Sequence, residues 1–159
     1  MKNIIELLDL HSDLESMFLT HQRALLRFEF PKALELLNDY ERCLLVHMQD
    51  EENILIPIYE QQAVVERGGN ARLLLDDHKR MCSILELFKE QIELLTTDDE
   101  PDTRLLMLLD REAFYKRLCT HHDMREQQYL YPKLDAILSD EEKAALLGRI
   151  TTDFEIEAT

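Results

Sequence analysis

PKALELLNDYERCLLVHMQDEENILIPI, residues 31–58, places Ala33, Leu37, Tyr40, Leu44, His47, Glu51, Ile54 and Ile58 at steps of three and four. Such steps put all eight side chains on one face of a helix. Pro31 suits a first helical turn, where its missing N–H costs nothing. The pattern predicts one helix over about 31–66, closed by Gly68-Gly69-Asn70, which can also cap the next helix.

The same reading extends in both directions. Upstream, about 2–28, the inward stripe is Ile4, Leu7, His11, Leu14, Phe18, His21 and Leu25, ended at Phe30-Pro31. Downstream, about 70–96, it is Ala71, Leu74, His78, Met81, Leu85, Phe88, Ile92 and Leu95, followed by the polar loop TTDDEPDT. A fourth segment, about 103–138, carries Leu108, Glu112, Tyr115, Cys119, His122, Glu126 and Tyr129 on one face. Ser139 followed by Glu142 has the capping-box spacing and opens a short fifth helix ending near Gly148. Long helices joined by short loops favour antiparallel neighbours, so the expected fold is all-α. It is an up-down-up-down four-helix bundle with a short fifth C-terminal helix, one domain over 1–159 with a frayed tail from about 151.

Composition narrows the functional classes. With 3 Gly and 4 Pro in 159 residues, the chain has few of the turn residues an all-β fold requires. Lys plus Arg number 18 against 33 Asp plus Glu, a formal charge of -15 that argues against nucleic-acid or anionic-membrane partners. The N-terminus MKNIIELLDLHSD has acids where a signal peptide has an apolar core, so a cytoplasmic location is expected. Cys43, Cys82 and Cys119 have no CxxC spacing and read as small buried residues. The runs Asp98-Asp99-Glu100 and Asp140-Glu141-Glu142 read as solvated surface.

HMQDEENILIP (47–57) recurs as HDMREQQYLYP (122–132), each with Glu four residues and Pro ten residues after His, at an offset of 75. The offset also pairs Tyr40 with Tyr115, and LLDLH (7–11) matches LLDDH (74–78), so two helix hairpins of similar design face each other. Each long helix therefore puts an inward histidine, His11, His47, His78 or His122, where the four can share one layer, and two helices add Glu51 and Glu126 one turn on. A lone histidine on an apolar stripe is usually a hydrogen-bonded core residue. Four imidazoles and two carboxylates converging on one layer exceed what one zinc ion takes, and suit two iron or manganese ions sharing bridging carboxylates. The ExxH spacing of ferritin-like di-iron bundles does not occur.

These residues resemble the hemerythrin-like HHE cation-binding family over nearly the whole chain. Its pattern of His, HxxxE with an apolar-apolar-Pro run, His, and a second HxxxE is met at His11, His47 with Glu51, His78, and His122 with Glu126. The resemblance implies a non-haem centre of two iron ions, oxo- or hydroxo-bridged, with the histidines as terminal ligands and Glu51 and Glu126 as bridges. Oxygen-carrying hemerythrins have a fifth histidine in an HxxxH pair and end in HxxxxD. Here the residues four from His78 are Leu74 and Cys82, and the last motif is HxxxE. One ligand fewer leaves an open position on both irons, closer to the branch similar to repair of iron centres proteins, though the cysteine-bearing N-terminal domain common there is absent from this sequence.

The expected ligand is a small diatomic or a peroxide, with the protein binding or reacting with dioxygen, nitric oxide or peroxide, or handling iron. The alternative is an iron- or redox-responsive interaction module without turnover, its protein partner unspecified. Among nearby residues, His21 lies about 15 Å along the helix from His11 and cannot join the same centre. His121 stands five before Glu126, the carrier spacing, and competes with His122, which the repeat register favours. Thiolate ligation by Cys82 or Cys119 would be out of place among N/O donors. Tyr40 and Tyr115 read as core packing rather than redox relays.

Overall fold

Apolar stripes at helical spacing become helices in the computed structural model, which describes residues 3–62 and 66–154. A 3-10 turn, Ile4–Leu7, leads into α1 (Leu8–Leu26). The chain reverses through Phe28, whose φ of 59° closes α1, and Pro31 sits in the first turn of α2 (Phe30–Asp50). A π-turn, Glu51–Leu55, continues α2 into α3 (Ile56–Gln62) as one arm. Asn70 caps α4 (Ala71–Thr97), its side chain accepting from the Arg72 N–H at 2.9 Å. After the polar loop, α5 (Asp102–Arg125) runs through a second π-turn, Glu126–Leu130, into α6 (Tyr131–Ile137). The expected capping box at Ser139 and Glu142 opens α7 (Asp140–Leu147). The expected all-α bundle is thus present, with α1 against α2, α2 against α4, α4 against α5, and α1 touching α5 only sparsely.

Two glycines hold the turn into α4 for different reasons. Gly68 has φ +87°, a conformation L side chains rarely adopt. A Cβ at Gly69 would lie 2.8 Å from the Tyr59 hydroxyl, which donates to the Gly69 carbonyl at 2.6 Å. Residues 63–65, where the second predicted helix was to end, lie outside the described residues, as do 155–159 of the expected frayed tail. Within that tail the Thr151 N–H donates to Asp50 at 2.8 Å, and Phe154 packs on both apolar clusters.

The π-turns correct the predicted stripes. Beyond Glu51 the α-helical period points to Ile58, yet Ile58 is half-buried while Leu55, Ile56 and Tyr59 are buried. Beyond Glu126 it points to Tyr129, yet Leu130, Tyr131 and Leu134 are the buried residues. Proline explains the shift: the rings of Pro57 and Pro132 would clash with the carbonyls of Asn53 and Gln128 in a regular helix. A wider turn relieves the clash, with the Ile56 and Tyr131 N–H groups bonding back to Glu51 and Glu126.

Two apolar clusters result. One contains Leu14, Phe18, Leu44, Met81, Phe88 and Tyr115; the other contains Ile4, Leu10, Leu55, Leu74, Leu130 and Leu134. On each arm the polar stripe residue falls between members of the two clusters: His11 between Leu10 and Leu14, and His78 between Leu74 and Met81. Burying these side chains, at about 1.5–3 kcal/mol each, fixes the heights at which the polar groups meet.

Candidate metal centre

Each π-turn begins at the glutamate that follows a buried histidine by four residues, so His47 with Glu51 and His122 with Glu126 point the same way from their arms. His11 comes from α1 and His78 from α4. The imidazoles meet in pairs through their Nε2 atoms, His11 with His47 at 3.1 Å and His78 with His122 at 3.2 Å. Each carboxylate spans both pairs. Glu51 Oε1 is 2.8 Å from His47 Nε2, and Oε2 is 3.2 Å from His78 Nε2. Glu126 Oε2 is 3.0 Å from His11 Nε2, and Oε1 is 2.7 Å from His122 Nε2. The structure thus brings together all six residues expected from the sequence, in two overlapping groups that could each hold an ion.

A further layer orients the rings. Asp77 Oδ2 lies 3.2 Å from His122 Nδ1 and accepts from Arg125 at 2.8 Å. Glu52 Oε1 lies 2.9 Å from His78 Nδ1, whereas Asp123 Oδ1, 3.3 Å from His11 Nδ1, makes no aligned hydrogen bond to it. Carboxylates behind imidazoles in this way fix ring orientation and raise ligand basicity. Tyr131 donates to Glu51 Oε1 at 2.5 Å, and its hydroxyl is 3.2 Å from His11 Nε2.

Without a cation the imidazoles and carboxylates shift one another toward their charged forms. Burial works against an imidazolium at His11, but the Glu126 and Glu51 carboxylates outweigh it and raise the pKa well above 6.5. His122 is treated alike, burial opposed by Glu126 and Asp77, and His78 is raised chiefly by Glu51 against its own burial. Burial would raise Glu51, yet the facing His47, His11 and His78 hold it well below 4.5. Glu126 is also lowered, with burial and Glu51 opposing and His122 and His11 prevailing. Burial pushes Asp123 up to about 6.

Glu51 Oε2 and both Glu126 oxygens are buried with no aligned hydrogen-bond partner, although imidazole nitrogens lie close. A buried carboxylate in that state is costly unless a cation completes it. Spacing agrees: two ligand nitrogens each about 2.1 Å from one ion, at right angles, stand about 3.0 Å apart. The donor set is all imidazole and carboxylate, which suits first-row transition metals. A family model, the hemerythrin HHE cation-binding domain, matches residues 2–134. The chain belongs to the hemerythrin HHE family. No curated protein and no solved structure matches it.

The other residues weighed from the sequence fall around this HHE centre. His122 joins the cluster, whereas His121 is exposed. His21 is fully buried elsewhere, with Nδ1 donating to the Ala33 carbonyl at 2.7 Å and Nε2 2.8 Å from Glu112. Cys119 and Cys82 belong to neither cation-capable group, and only Cys43 is fully buried, so the expectation of three buried cysteines is corrected for the other two, which are half-buried at the edge of the core. Burial pushes the Cys119 thiol up to about 12, out of thiolate range. Tyr40 and Tyr115 are buried with their hydroxyls 2.6 Å apart. Sequence reasoning missed Tyr131, Asp77, Glu52 and Asp123. The available signal was proline inside a helical pattern, together with the acids next to Glu51, His78 and His122. No helix among the described residues is long and apolar enough to cross a membrane.

Proposed function

We propose that the six residues hold two iron ions, with Glu51 and Glu126 shared between them, and that the protein binds or reacts with a small oxidant such as dioxygen, nitric oxide or peroxide. One observation carries the reading: both carboxylates turn one oxygen to the His11–His47 pair and the other to the His78–His122 pair. Iron, when bound, supplies redox chemistry and positions where a small ligand can coordinate. The chain's own groups set the surroundings. Tyr131 keeps its proton, since burial and the two glutamates raise its pKa well above 10, and directs it at Glu51 Oε1. Asp77, clamped by Arg125, holds the His122 ring.

The four-histidine, two-glutamate set favours the branch similar to repair of iron centres proteins over the oxygen carriers, which have one histidine more. The test is metal analysis of protein made with ample iron under anaerobic conditions, then spectra of the reduced protein titrated with nitric oxide and, separately, dioxygen. Two irons per chain and a change with either gas support the reading. One zinc per chain, or a holo protein whose spectrum ignores both gases, refutes it and moves the assignment to a metal-responsive interaction module.

A further inference from the structure

Where α1 and α5 part, a cavity of about 340 Å³ runs from solvent to His11, His47 and His122 and on to Tyr40 and Tyr115. It is far larger than the proposed oxidants require. A diatomic fills about the space of one water, roughly 30 Å³, whereas an apolar cavity of about 150 Å³ is known to hold benzene. Scaled on that ratio, this one takes about a dozen non-hydrogen atoms, at the lower end of ordinary small-molecule sites.

Its chemistry is equally specific. The inner wall is Leu14, Phe18, Leu44, Met48 and Met81, with sulfur and aromatic surfaces that adapt to flat or branched shapes. The Tyr40 and Tyr115 hydroxyls already bond to each other at 2.6 Å and demand little of an occupant. The imidazoles on its floor face the Glu51 and Glu126 carboxylates, and the remaining charged residues, the acids Glu15 and Asp123, are matched in number by Lys116 and Arg117. Lys116 is already engaged by Gln22 at 3.1 Å, and Arg117 lies over the Phe114 ring at 5.9 Å. No unmatched cation waits for an anionic group.

We infer that the α1–α5 cavity is a binding site for a compact, uncharged, largely apolar organic molecule, which lies against His11, His47 and His122 of the centre. The inference rests on the proposed metal centre for the ligand's role beside it, but not for binding, because the walls are in place in the metal-free chain. The structure therefore assigns the domain a second ligand class besides the small oxidant.

The experiment is calorimetric titration with 2-naphthol and its charged counterpart 2-naphthalenesulfonate, on both metal-free and iron-loaded protein, with iron content measured separately. Expected are one naphthol site per chain in both forms and at least tenfold weaker binding of the sulfonate. Leu14→Trp, which fills the inner cavity, and Leu19→Trp, at its half-open mouth, should each weaken naphthol at least tenfold with iron content unchanged. Leu19 is 39% exposed, so its variant serves if Leu14→Trp fails to fold. Leu106→Ser, at an exposed apolar residue outside the cavity, should change nothing. Absence of a stoichiometric site in either form overturns the inference, as does binding that survives the Leu19→Trp substitution or falls with Leu106→Ser. A chain that binds naphthol but takes up no iron would refute the metal centre alone.

Discussion

Glu126→Ala is expected to empty both metal positions together. The side chain is fully buried, and its two oxygens lie 3.0 Å from His11 and 2.7 Å from His122, one member of each histidine pair. Each proposed ion therefore loses one of four protein atoms. Groups merely supporting a ligand change metal affinity 10- to 100-fold, and a direct ligand should reach the upper figure. A 100-fold loss is about 2.8 kcal/mol per ion, and the stabilisation of the fold by metal falls with it. Dialysis against free iron at ten times the wild-type dissociation constant would fill wild-type positions to about 90% and both variant positions to about 10%. Iron per chain, read by elemental analysis, distinguishes the outcomes, and Glu126→Gln, which keeps the shape but not the charge, should follow Ala. Retention of one firmly bound iron per chain would make Glu126 a terminal ligand and refute the shared-carboxylate argument.

His122→Ala should strip metal while His121→Ala leaves content and spectrum intact, because only His122 faces the cluster; the reverse result would shift the repeat register by one. Tyr131→Phe removes the donor to Glu51 and should destabilise the metal-free protein by about 1.5–3 kcal/mol, the usual range for hydrogen bonds to charge, with two irons still bound. Urea unfolding of chelated protein measures it, and no loss would mean that the bond contributes nothing. Metal-free stability should peak between about pH 4.5 and 6.5. His11, His78 and His122, raised above 6.5, contribute fully below that value and less as pH climbs through their folded pKa values. Glu51 and Glu126, lowered below 4.5, contribute above that value and less as pH falls through theirs. Asp123, pushed up to about 6, weights the maximum toward the acid end. Metal binding must displace the same protons, so iron affinity should rise with pH; a metal-free melting temperature that climbs from pH 6 to 8 refutes this account.

The six cluster residues were legible because each lies on a stripe that also carries its helix's apolar packing. Periodicity alone brings His11, His47, His78 and His122 inward, and the internal repeat supplies the common height. Tyr131 was not legible that way. The π-turn adds about one residue of rotation, roughly 100°, so extending the period past Glu126 lands on Tyr129 and faces Tyr131 away. Asp77, Glu52 and Asp123 escape for a related reason. Each is adjacent in sequence to a stripe residue, a position that reads as outward, and each comes near an imidazole only because that ring is supplied by a different helix. The cavity is a gap between α1 and α5, and no stripe on either helix encodes how closely the two approach.

The two HxxxE halves share their spacing and differ in what surrounds it. At the offset of 75, Tyr131 stands opposite Ile56, and Arg125 opposite Asp50. Arg125 secures Asp77 behind His122, while Asp50 turns away to accept from Thr151. The His78–His122 position is thus braced by Glu52, Asp77 and Arg125, with both ring Nδ1 atoms facing carboxylates. The His11–His47 position has a phenol beside it and both imidazoles on the cavity, where the other position has only His122. Bracing of ligands opposes the small ring movements that admit a new ligand, and access from solvent is a separate requirement. In the proposed two-iron centre both considerations favour exchange at the His11–His47 position and retention of metal at the other, so a repeated motif would yield two unlike sites through differences outside the ligand set.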